Sequence, residues 1–303
     1  MDDIPLLSDT EAAIALVLSE CPPGAMLRPG TAAASSSSAA APPAPSTLPC
    51  ALVHALHAVI HHATEVDVEL ERLRLAHTVR VLKLPAYGDE RLILRADDYA
   101  NALARSDCCE LAPLVARVAL PKCTGVRCTT RELSQALRDG GDCHSTAAAA
   151  GSGGSSLLTA KKVCEELRKA GWLVPAAQAA AAEAHAAAPG EAPLIAEADE
   201  WLWSLPHAGR LLYALAKCRK EVLKVLHKQH FHRAMRRVVE RAPAVRKVLG
   251  DSKLDLRYAL RDVVGKRLVE QTETSAGTVL ELTVSGVQAA ASQVASATRK
   301  RRR

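Results

Sequence analysis

Aromatic residues are scarce in this chain of 303 residues, which contains one Phe, three Trp and four Tyr. Proteins that read single-stranded nucleic acid usually stack the bases on exposed aromatic side chains. The shortage of aromatic residues therefore argues against RNA-recognition motifs and OB-fold stacking platforms.

The sequence also lacks long hydrophobic runs and a secretory leader. No run of 18 apolar residues occurs, so we expect no transmembrane helix and no membrane partner. The start of the chain, Met1-Asp2-Asp3, is acidic, whereas a signal peptide begins with a basic region. The nine cysteines are odd in number and follow no disulfide spacing, which predicts a reducing compartment.

Low-complexity stretches interrupt the chain in three places, although 49% of its residues are hydrophobic and can build packed cores. Each stretch is rich in Ala, Gly, Pro or Ser, and we interpret it as a surface insertion that buries no core. The three stretches are Pro22–Pro49, Gly140–Ser156 and Pro175–Pro193.

Without these insertions, the chain repeats one pattern three times: helices followed by a pair of short strands. In the third copy, helices are predicted over Ala208–His230 and Arg233–Arg241, and Ser252-x-x-Asp255 predicts the cap of another helix that ends at Gly265. A β-hairpin over residues 268–282 follows. This is the order of a winged-helix domain, a variant of the helix-turn-helix.

The two earlier copies follow the same order. Their predicted helices are Glu11–Cys21, Cys50–Ala63, Thr64–His77, Cys109–Leu120, a helix capped by Thr129-x-x-Glu132, and Leu157–Ala170, and their predicted strands are Val79–Leu84, Arg91–Leu94, Trp172–Val174 and Trp201–Leu205. We therefore predict an α+β, mainly helical fold of three tandem winged-helix domains with low-complexity insertions. The predicted boundaries are 1–98 for winged helix 1, 99–205 for winged helix 2, 206–284 for a basic winged helix 3, and 285–303 for a basic disordered tail.

Charge is distributed unevenly along the chain. Between Pro206 and Arg303 there are 22 Lys and Arg residues and 8 Asp and Glu residues, a net charge of +14, while the remainder carries −8. A strongly cationic module attracts polyanions, of which nucleic acid is the commonest. The run Arg299-Lys300-Arg301-Arg302-Arg303 fits a nuclear-localisation or phosphate-binding tail. A solvated basic surface without a ligand is the alternative.

The basic residues of the third copy form rows on the predicted helices. A row of four Lys residues recurs opposite the apolar stripe of the long helix, and like charges at this spacing repel unless an anion neutralises them. In a winged helix, the helix after Asp255 enters the major groove. Because Asn and Gln are rare here, we expect mostly phosphate contacts with weak sequence preference. The residues predicted to bind double-stranded DNA are Arg210, Lys217, Arg219, Lys220, Lys224, Lys228, Arg233, Arg236, Arg237, Lys253, Arg257 and Arg261.

The sequence predicts no catalytic residue, metal site, cofactor or small-molecule substrate. Phosphoryl transfer needs a Gly-rich phosphate loop, a catalytic Asp and a metal-binding Asp. Gly151-Ser152-Gly153-Gly154 lies in an insertion, and an Asp-Phe-Gly motif is impossible because the only Phe is Phe231. A zinc site built from Cys123, Cys128 and Cys143-His144 has loose spacing, so buried and inert cysteines are the preferred interpretation.

Several motifs resemble those of a known family. The longest is Trp201-x-Trp203-Ser204-Leu205-Pro206-His207-Ala208-Gly209-Arg210, which matches a Trp-rich strand followed by Pro-Gly-Ala-Gly-Arg in that family. Further matches are Lys217, Arg219, Lys228, Arg241-Ala242-Pro243, Tyr258, Asp262, Gly265, Leu268-Val269 and Gly277-Thr278. On these residues the sequence resembles the serine/threonine-protein kinase 19 family, most strongly over residues 197–283.

This resemblance implies three tandem winged-helix domains in a nuclear DNA-binding protein that is a kinase in name only. It also implies a role in transcription-coupled nucleotide excision repair, where members help to position the stalled-polymerase repair complex and its helicase factor. The implied partners are double-stranded DNA and proteins of a transcription or repair complex. Two alternatives remain: a winged-helix protein-interaction scaffold, which the acidic first two domains would suit, and a protein serine/threonine kinase, which the family name suggests.

Overall fold

The computed structural model describes residues 7–21, 48–60, 62–84, 90–106, 108–139, 154–180 and 199–301. It is mostly helical with small antiparallel sheets, which agrees with the predicted α+β class. Two compact units are present: a split unit, Met1–Glu69 with Ala208–Arg303, and a central unit, Leu70–His207. The division into three winged-helix domains stays a prediction. None of the helices described is both long and apolar enough to cross a bilayer.

The elements are numbered along the chain. The α-helices are α1 (Asp9–Ser19), α2 (Ala63–Leu75), α3 (Ala96–Ala104), α4 (Ala112–Leu114, a π-helical turn Val115–Ala119, and Leu120–Lys122), α5 (Thr130–Asp139), α6 (Gly154–Ala170), α7 (Ala208–His227), α8 (Arg236–Arg241), α9 (Pro243–Ser252), α10 (Leu256–Gly265) and α11 (Val284–Arg301). The 3-10 helices are η1 (Val53–Ala58) and η2 (His230–His232). The strands are β1 (Ala51–Leu52), β2 (Val79–Lys83), β3 (Arg91–Arg95), β4 (Arg127–Thr129), β5 (Leu173–Pro175), β6 (Glu200–Trp203), β7 (Arg233–Met235), β8 (Val269–Thr274) and β9 (Gly277–Leu282).

The strands form short antiparallel sheets. In the central unit, β2 pairs with β3, and a second sheet has the order β4-β6-β5. In the split unit the order is β7-β9-β8, with the β8–β9 hairpin closed at Thr274 and Gly277. Gly277 has a φ of +118°, a conformation that favours glycine in the turn. In both of these three-stranded sheets, the strand that comes last in sequence lies in the middle.

A buried arginine organises the core of the central unit. The Arg80 guanidinium donates to the carbonyl oxygens of Leu120 (3.2 Å) and Cys123 (2.8 Å). It also lies 4.9 Å from the ring centroid of Trp203 and 5.5 Å from that of Tyr99. Burial lowers the pKa of Arg80, and the carbonyl and ring contacts replace part of the water that the charge has lost, while its Nε has no hydrogen-bond partner among the described residues. The central unit thus places two of its aromatic side chains, Tyr99 and Trp203, against a charge in its interior.

The core of the split unit lies between α7 and the elements packed against it, namely α9, α10, α11 and β9. Apolar side chains of each element point into this core, including Leu215, Val245, Val263 and Leu280, which are almost completely buried. The predicted apolar stripe of α7 is therefore confirmed.

Several predicted elements differ from those in the structure. Residues 50–63 were expected to form one helix, but Ala51–Leu52 forms β1 and Val53–Ala58 forms η1, because Leu52 is extended and β-branched Val53 begins a 3-10 turn. Arg233–Met235 begins no helix and instead pairs with β9. Ser252 does not cap α10, since its hydroxyl donates back to Val248 (2.6 Å), and Asp255 is the N-cap.

Other differences concern segments expected to lack structure. Residues 284–301 form α11, whereas a disordered tail was predicted. Helix α6 begins at Gly154, inside the second predicted insertion, and residues 176–180 of the third are helical. Pro175, the first residue of the third insertion, is in β5, and Leu48, near the end of the first, is buried. Apart from these residues and Pro49, the remaining parts of the insertions lie outside the described residues.

Gly265, at the end of α10, allows η1 to approach closely. A Cβ atom at this position would overlap the carbonyl oxygen of His54 in η1. The obstacle is backbone, which cannot swing aside as a side chain can.

We expect Gly265→Ala to destabilise the split unit by about 3 kcal/mol, because η1 must move off α10. Gly250→Ala is the matched control, since its new methyl group meets no atom within 4 Å and Ala favours the helix α9. Chemical denaturation of both variants checks this. Equal stabilities of the two variants would show that η1 and α10 are not tightly packed.

Candidate nucleic-acid interface

Helix α7 carries the predicted lysine row on the side opposite its buried stripe. Lys217 and Lys228 are exposed, while Lys220 and Lys224 are half-buried. On the buried side, burial raises the pKa of Cys218 to about 12, so this thiol stays neutral in the core. The sequence periodicity thus separated the apolar side from the basic side correctly.

Acidic side chains of the protein partly neutralise this row. Lys224 Nζ lies 2.8 Å from Glu221 Oε1 on the same helix. Lys217 Nζ lies 3.9 Å from Asp251 Oδ2, which belongs to α9. Glu221 lies within the predicted helix, but the sequence gave no sign of Asp251 as a partner, because α9 was not predicted. An external anion is therefore not required to neutralise the whole row.

Arg219 has a structural partner. Its Nε and one terminal nitrogen donate to the two carboxylate oxygens of Asp262 in α10, at 2.9 and 2.8 Å. His54 Nε2, from η1, lies 2.9 Å from Asp262 Oδ1. Asp262 is only 2% exposed, so this bidentate pair is inside the fold. Arg219 therefore holds α7 against α10, and its assignment to DNA binding stays a prediction that this pairing disfavours.

The environment of Asp262 favours its charged form. Burial alone raises the pKa of this carboxyl, but the hydrogen bonds from His54 and Arg219 outweigh burial and hold the pKa below its usual value. The folded pKa therefore lies below the unfolded value of about 3.9. Consequently, this group stabilises the fold fully above that pH and loses the contribution as pH falls toward the folded pKa.

Helix α10, the predicted recognition helix, is covered by the N-terminal part of the split unit. Tyr258 donates to the carbonyl oxygen of Cys50 (2.8 Å). The Arg261 guanidinium reaches the Glu20 carboxylate (3.3 and 3.4 Å) and the carbonyl oxygen of Ala58 (3.4 Å). Insertion of this helix into a major groove would require these contacts to break. Groove insertion and the DNA-binding role of Arg261 therefore stay predictions, which these contacts disfavour.

The other predicted residues reach solvent in different places. Lys253 is exposed and ends α9 in a left-handed conformation, with a φ of +55°. Arg210 is exposed on the first turn of α7. Arg233, on β7, is exposed and its guanidinium lies 5.6 Å from the ring centroid of Phe231. Arg236 is half-buried and Arg237 is exposed, both on α8.

A basic surface surrounds the short helix α8. Arg236 and Arg257 line a groove together with Arg246 of α9, and the same two residues line a neighbouring pocket of about 640 Å³ together with Arg267. On the other side, Arg241 shares a groove with Lys228. We use the name α8 surface for these side chains and Arg237, which are Lys228, Arg236, Arg237, Arg241, Arg246, Arg257 and Arg267.

None of the α8-surface side chains forms an ion pair with another residue in the described parts of the chain. Acids do line the same grooves, among them Glu240, Asp255 and Glu270, but they lie beyond ion-pair distance. Guanidinium groups that form no ion pair within the protein can bridge two phosphate oxygens. The chemistry of the α8 surface therefore suits contacts with phosphate groups.

Sequence reasoning missed Arg246 and Arg267 as members of this surface, and named Arg241 only as a helix end and in the motif Arg241-Ala242-Pro243. The signal for Arg246 was Pro243, which occupies the first turn of α9, as proline does at the start of many helices. Arg267 has a φ of +54°, and nothing in the sequence indicates that left-handed conformation.

The described residues contain no group of three His, Cys, Asp or Glu side chains placed to hold a metal ion. Cys123 and Cys128 are buried, and burial raises the pKa of both thiols. Cys143-His144 and Gly151–Gly153 lie outside the described residues, and His54 is engaged with Asp262.

A family model described as inactive serine-threonine protein kinase 19 matches residues 30–282 of the chain. The match covers the central unit and most of the split unit. No curated protein matches the chain.

Exchange of Arg219 for Met should cost about 3–5 kcal/mol of stability, because Asp262 would lose its bidentate partner inside the fold. Lys217→Met, on the same helix, should cost less than about 1 kcal/mol, since its pair with Asp251 is exposed. Thermal denaturation at neutral pH compares the two. Equal costs for the two Met variants would contradict the account of Asp262.

In the wild type, stability should also fall as pH drops below about 4, and Asp262→Asn should remove this part of the pH dependence.

Proposed function

Because the chain belongs to the inactive serine-threonine protein kinase 19 family, we propose that it is a non-catalytic nuclear protein that binds double-stranded DNA through the α8 surface. The observation that carries this proposal is a set of seven cationic side chains around α8, none in an ion pair with another described residue. Phosphate contacts of this kind position a protein on duplex DNA and carry little sequence information. We therefore expect weak sequence preference.

We further propose that the chain contains three tandem winged-helix domains. This is supported by the strand orders β4-β6-β5 and β7-β9-β8. In each sheet the strand that comes last in sequence lies in the middle. The order of elements after α7, a strand, helices and then a hairpin, also fits a winged helix. The third domain would differ from the usual docking mode, since η1 covers its recognition helix.

A nuclear role in transcription-coupled nucleotide excision repair follows from the family resemblance of the sequence. The basic run at residues 299–303 supports nuclear localisation. In this proposal the α8 surface holds DNA, and other surfaces contact proteins of a transcription or repair complex. No catalytic step is assigned to the chain, and the description of the family as inactive agrees with this.

A protein-interaction scaffold is the second candidate function. It is favoured by the net charge of −8 on the residues before Pro206, which would repel DNA rather than attract it. The salt dependence of DNA affinity separates the two candidates, because only phosphate binding releases counterions.

The full chain should bind a random-sequence duplex with an affinity that falls steeply as salt increases. If about six of the seven cationic side chains contact phosphates, log K should fall with log salt at a slope of about −5 to −6. The full chain is required, because a fragment from residue 197 onward would lack η1 and expose the apolar side of α10. Fluorescence anisotropy at four salt concentrations measures the slope. A flat salt response would support the scaffold instead.

Reversal of charge on the α8 surface should remove most of this binding. The variant Lys228→Glu, Arg237→Glu and Arg241→Glu should lose at least about 100-fold in affinity at low salt, and its salt slope should be shallower by about 3. The matched control reverses three exposed arginines of the central unit: Arg95→Glu, Arg131→Glu and Arg138→Glu. It changes the net charge equally, so an equal loss in the control would show that total charge, and not this surface, governs binding.

A further inference from the structure

The single phenylalanine of the chain is exposed. Phe231 lies in η2, between α7 and β7, and 69% of its surface is accessible to solvent. Burial of a phenyl ring is among the larger apolar contributions to stability, so proteins usually bury it. Because the Phe231 ring is exposed, it makes no such contribution, although the chain has few other aromatic side chains to bury.

The backbone at this ring is strained. Phe231 and His232 have φ values of +56° and +55°, two successive left-handed residues without a glycine. A side chain with a Cβ atom is unfavourable in this conformation, and such outliers cluster at functional sites. Glycine would suit this turn better, so the ring is present at a cost to stability.

Neighbouring side chains hold the ring in place. The His230 ring meets Phe231 edge-on, with the ring centroids 3.9 Å apart. The Arg233 guanidinium lies 5.6 Å from the Phe231 centroid, within the distance of a cation–π contact. The turn itself is held by His232, whose ring stacks on that of His227 with centroids 5.0 Å apart. The ring is therefore exposed but oriented.

The exposed residues next to Phe231 in sequence are polar or cationic. Lys228, Gln229, His230 and Arg233 are all exposed. Lys228 also belongs to the α8 surface, in which it shares a groove with Arg241. A ring that docked into a protein partner would be expected among other apolar side chains. A ring among cations matches a nucleobase, which offers a flat apolar face beside an anionic phosphate.

We propose that Phe231 is a stacking site for an unpaired nucleobase at the edge of the α8 surface. In an intact duplex the base faces are stacked on one another, so the ring would have no face to contact. Where the strands are open, a base can stack on Phe231 while Lys228 and Arg233 contact the adjoining phosphates. The protein would then favour open DNA over closed duplex. This inference rests on the proposed DNA binding and adds the form of DNA that is preferred.

Binding of the full chain to two probes tests this inference. One probe is a closed duplex, and the other is the same duplex with a central bubble of five mismatched positions that contains 2-aminopurine. The wild type should bind the bubble about tenfold more tightly, and binding should quench the 2-aminopurine fluorescence as the base stacks on the ring. Phe231→Ala should remove the preference and the quenching, with duplex affinity unchanged within about twofold. Phe231→Trp should retain both.

Two further variants separate stacking from structural effects. Tyr213→Ala removes another exposed ring, 68% accessible and on α7, and should leave the bubble preference unchanged. Phe231→Gly relieves the left-handed strain, so it should raise the melting temperature while it abolishes the preference. If the ring were present only for stability, Phe231→Gly would lower the melting temperature instead.

The outcomes also separate this inference from the proposed function. Absence of salt-dependent binding to either probe would overturn both. Salt-dependent duplex binding without a bubble preference, or with a preference that Phe231→Ala retains, would overturn only the stacking site. An equal loss of duplex and bubble affinity in Phe231→Ala would likewise overturn it, because the ring would then contact closed DNA.

Discussion

The buried carboxylate of Asp262 is the interaction on which the split unit depends. It accepts hydrogen bonds from Arg219 in α7 and is paired with His54 in η1, so three separate segments of the chain meet at one side chain. A charge at 2% exposure is tolerable only with such partners. Removal of either partner leaves a desolvated charge, and the packing of η1 on α10 then loses its polar anchor. Gly265 completes the arrangement, since only a residue without a Cβ atom lets η1 come this close.

This anchor determines which basic residues face solvent. Because η1 lies on α10, Arg261 turns to Glu20 and Ala58, and Arg219 is held inside the fold. Seven of the cationic side chains that form no ion pair among the described residues lie around α8. The proposed interface is therefore a consequence of how the N-terminal segment packs, as well as of the charge of the C-terminal third.

The sequence predicted local features better than contacts between distant segments. The apolar stripe of α7 and the hairpin at Gly277 depend on residues close in sequence, and both were found as expected. The roles of Arg219 and Arg261 depend on partners 43 and 241 residues away, and no periodicity reveals such partners. Sequence reasoning also discounted base stacking because aromatic residues are few. It could not detect that a strained turn would expose the one Phe.

The central claim is that duplex DNA contacts the α8 surface while α10 stays covered by η1. Hydrogen–deuterium exchange of the full chain, with and without a duplex, tests this claim most directly, because it reports on both elements in one measurement. We expect the duplex to slow exchange in residues 228–241 and to leave residues 53–58 and 256–265 unchanged. Slower exchange in residues 256–265 together with faster exchange in residues 53–58 would contradict the claim, since it would mean that η1 leaves α10 and the recognition helix enters the groove.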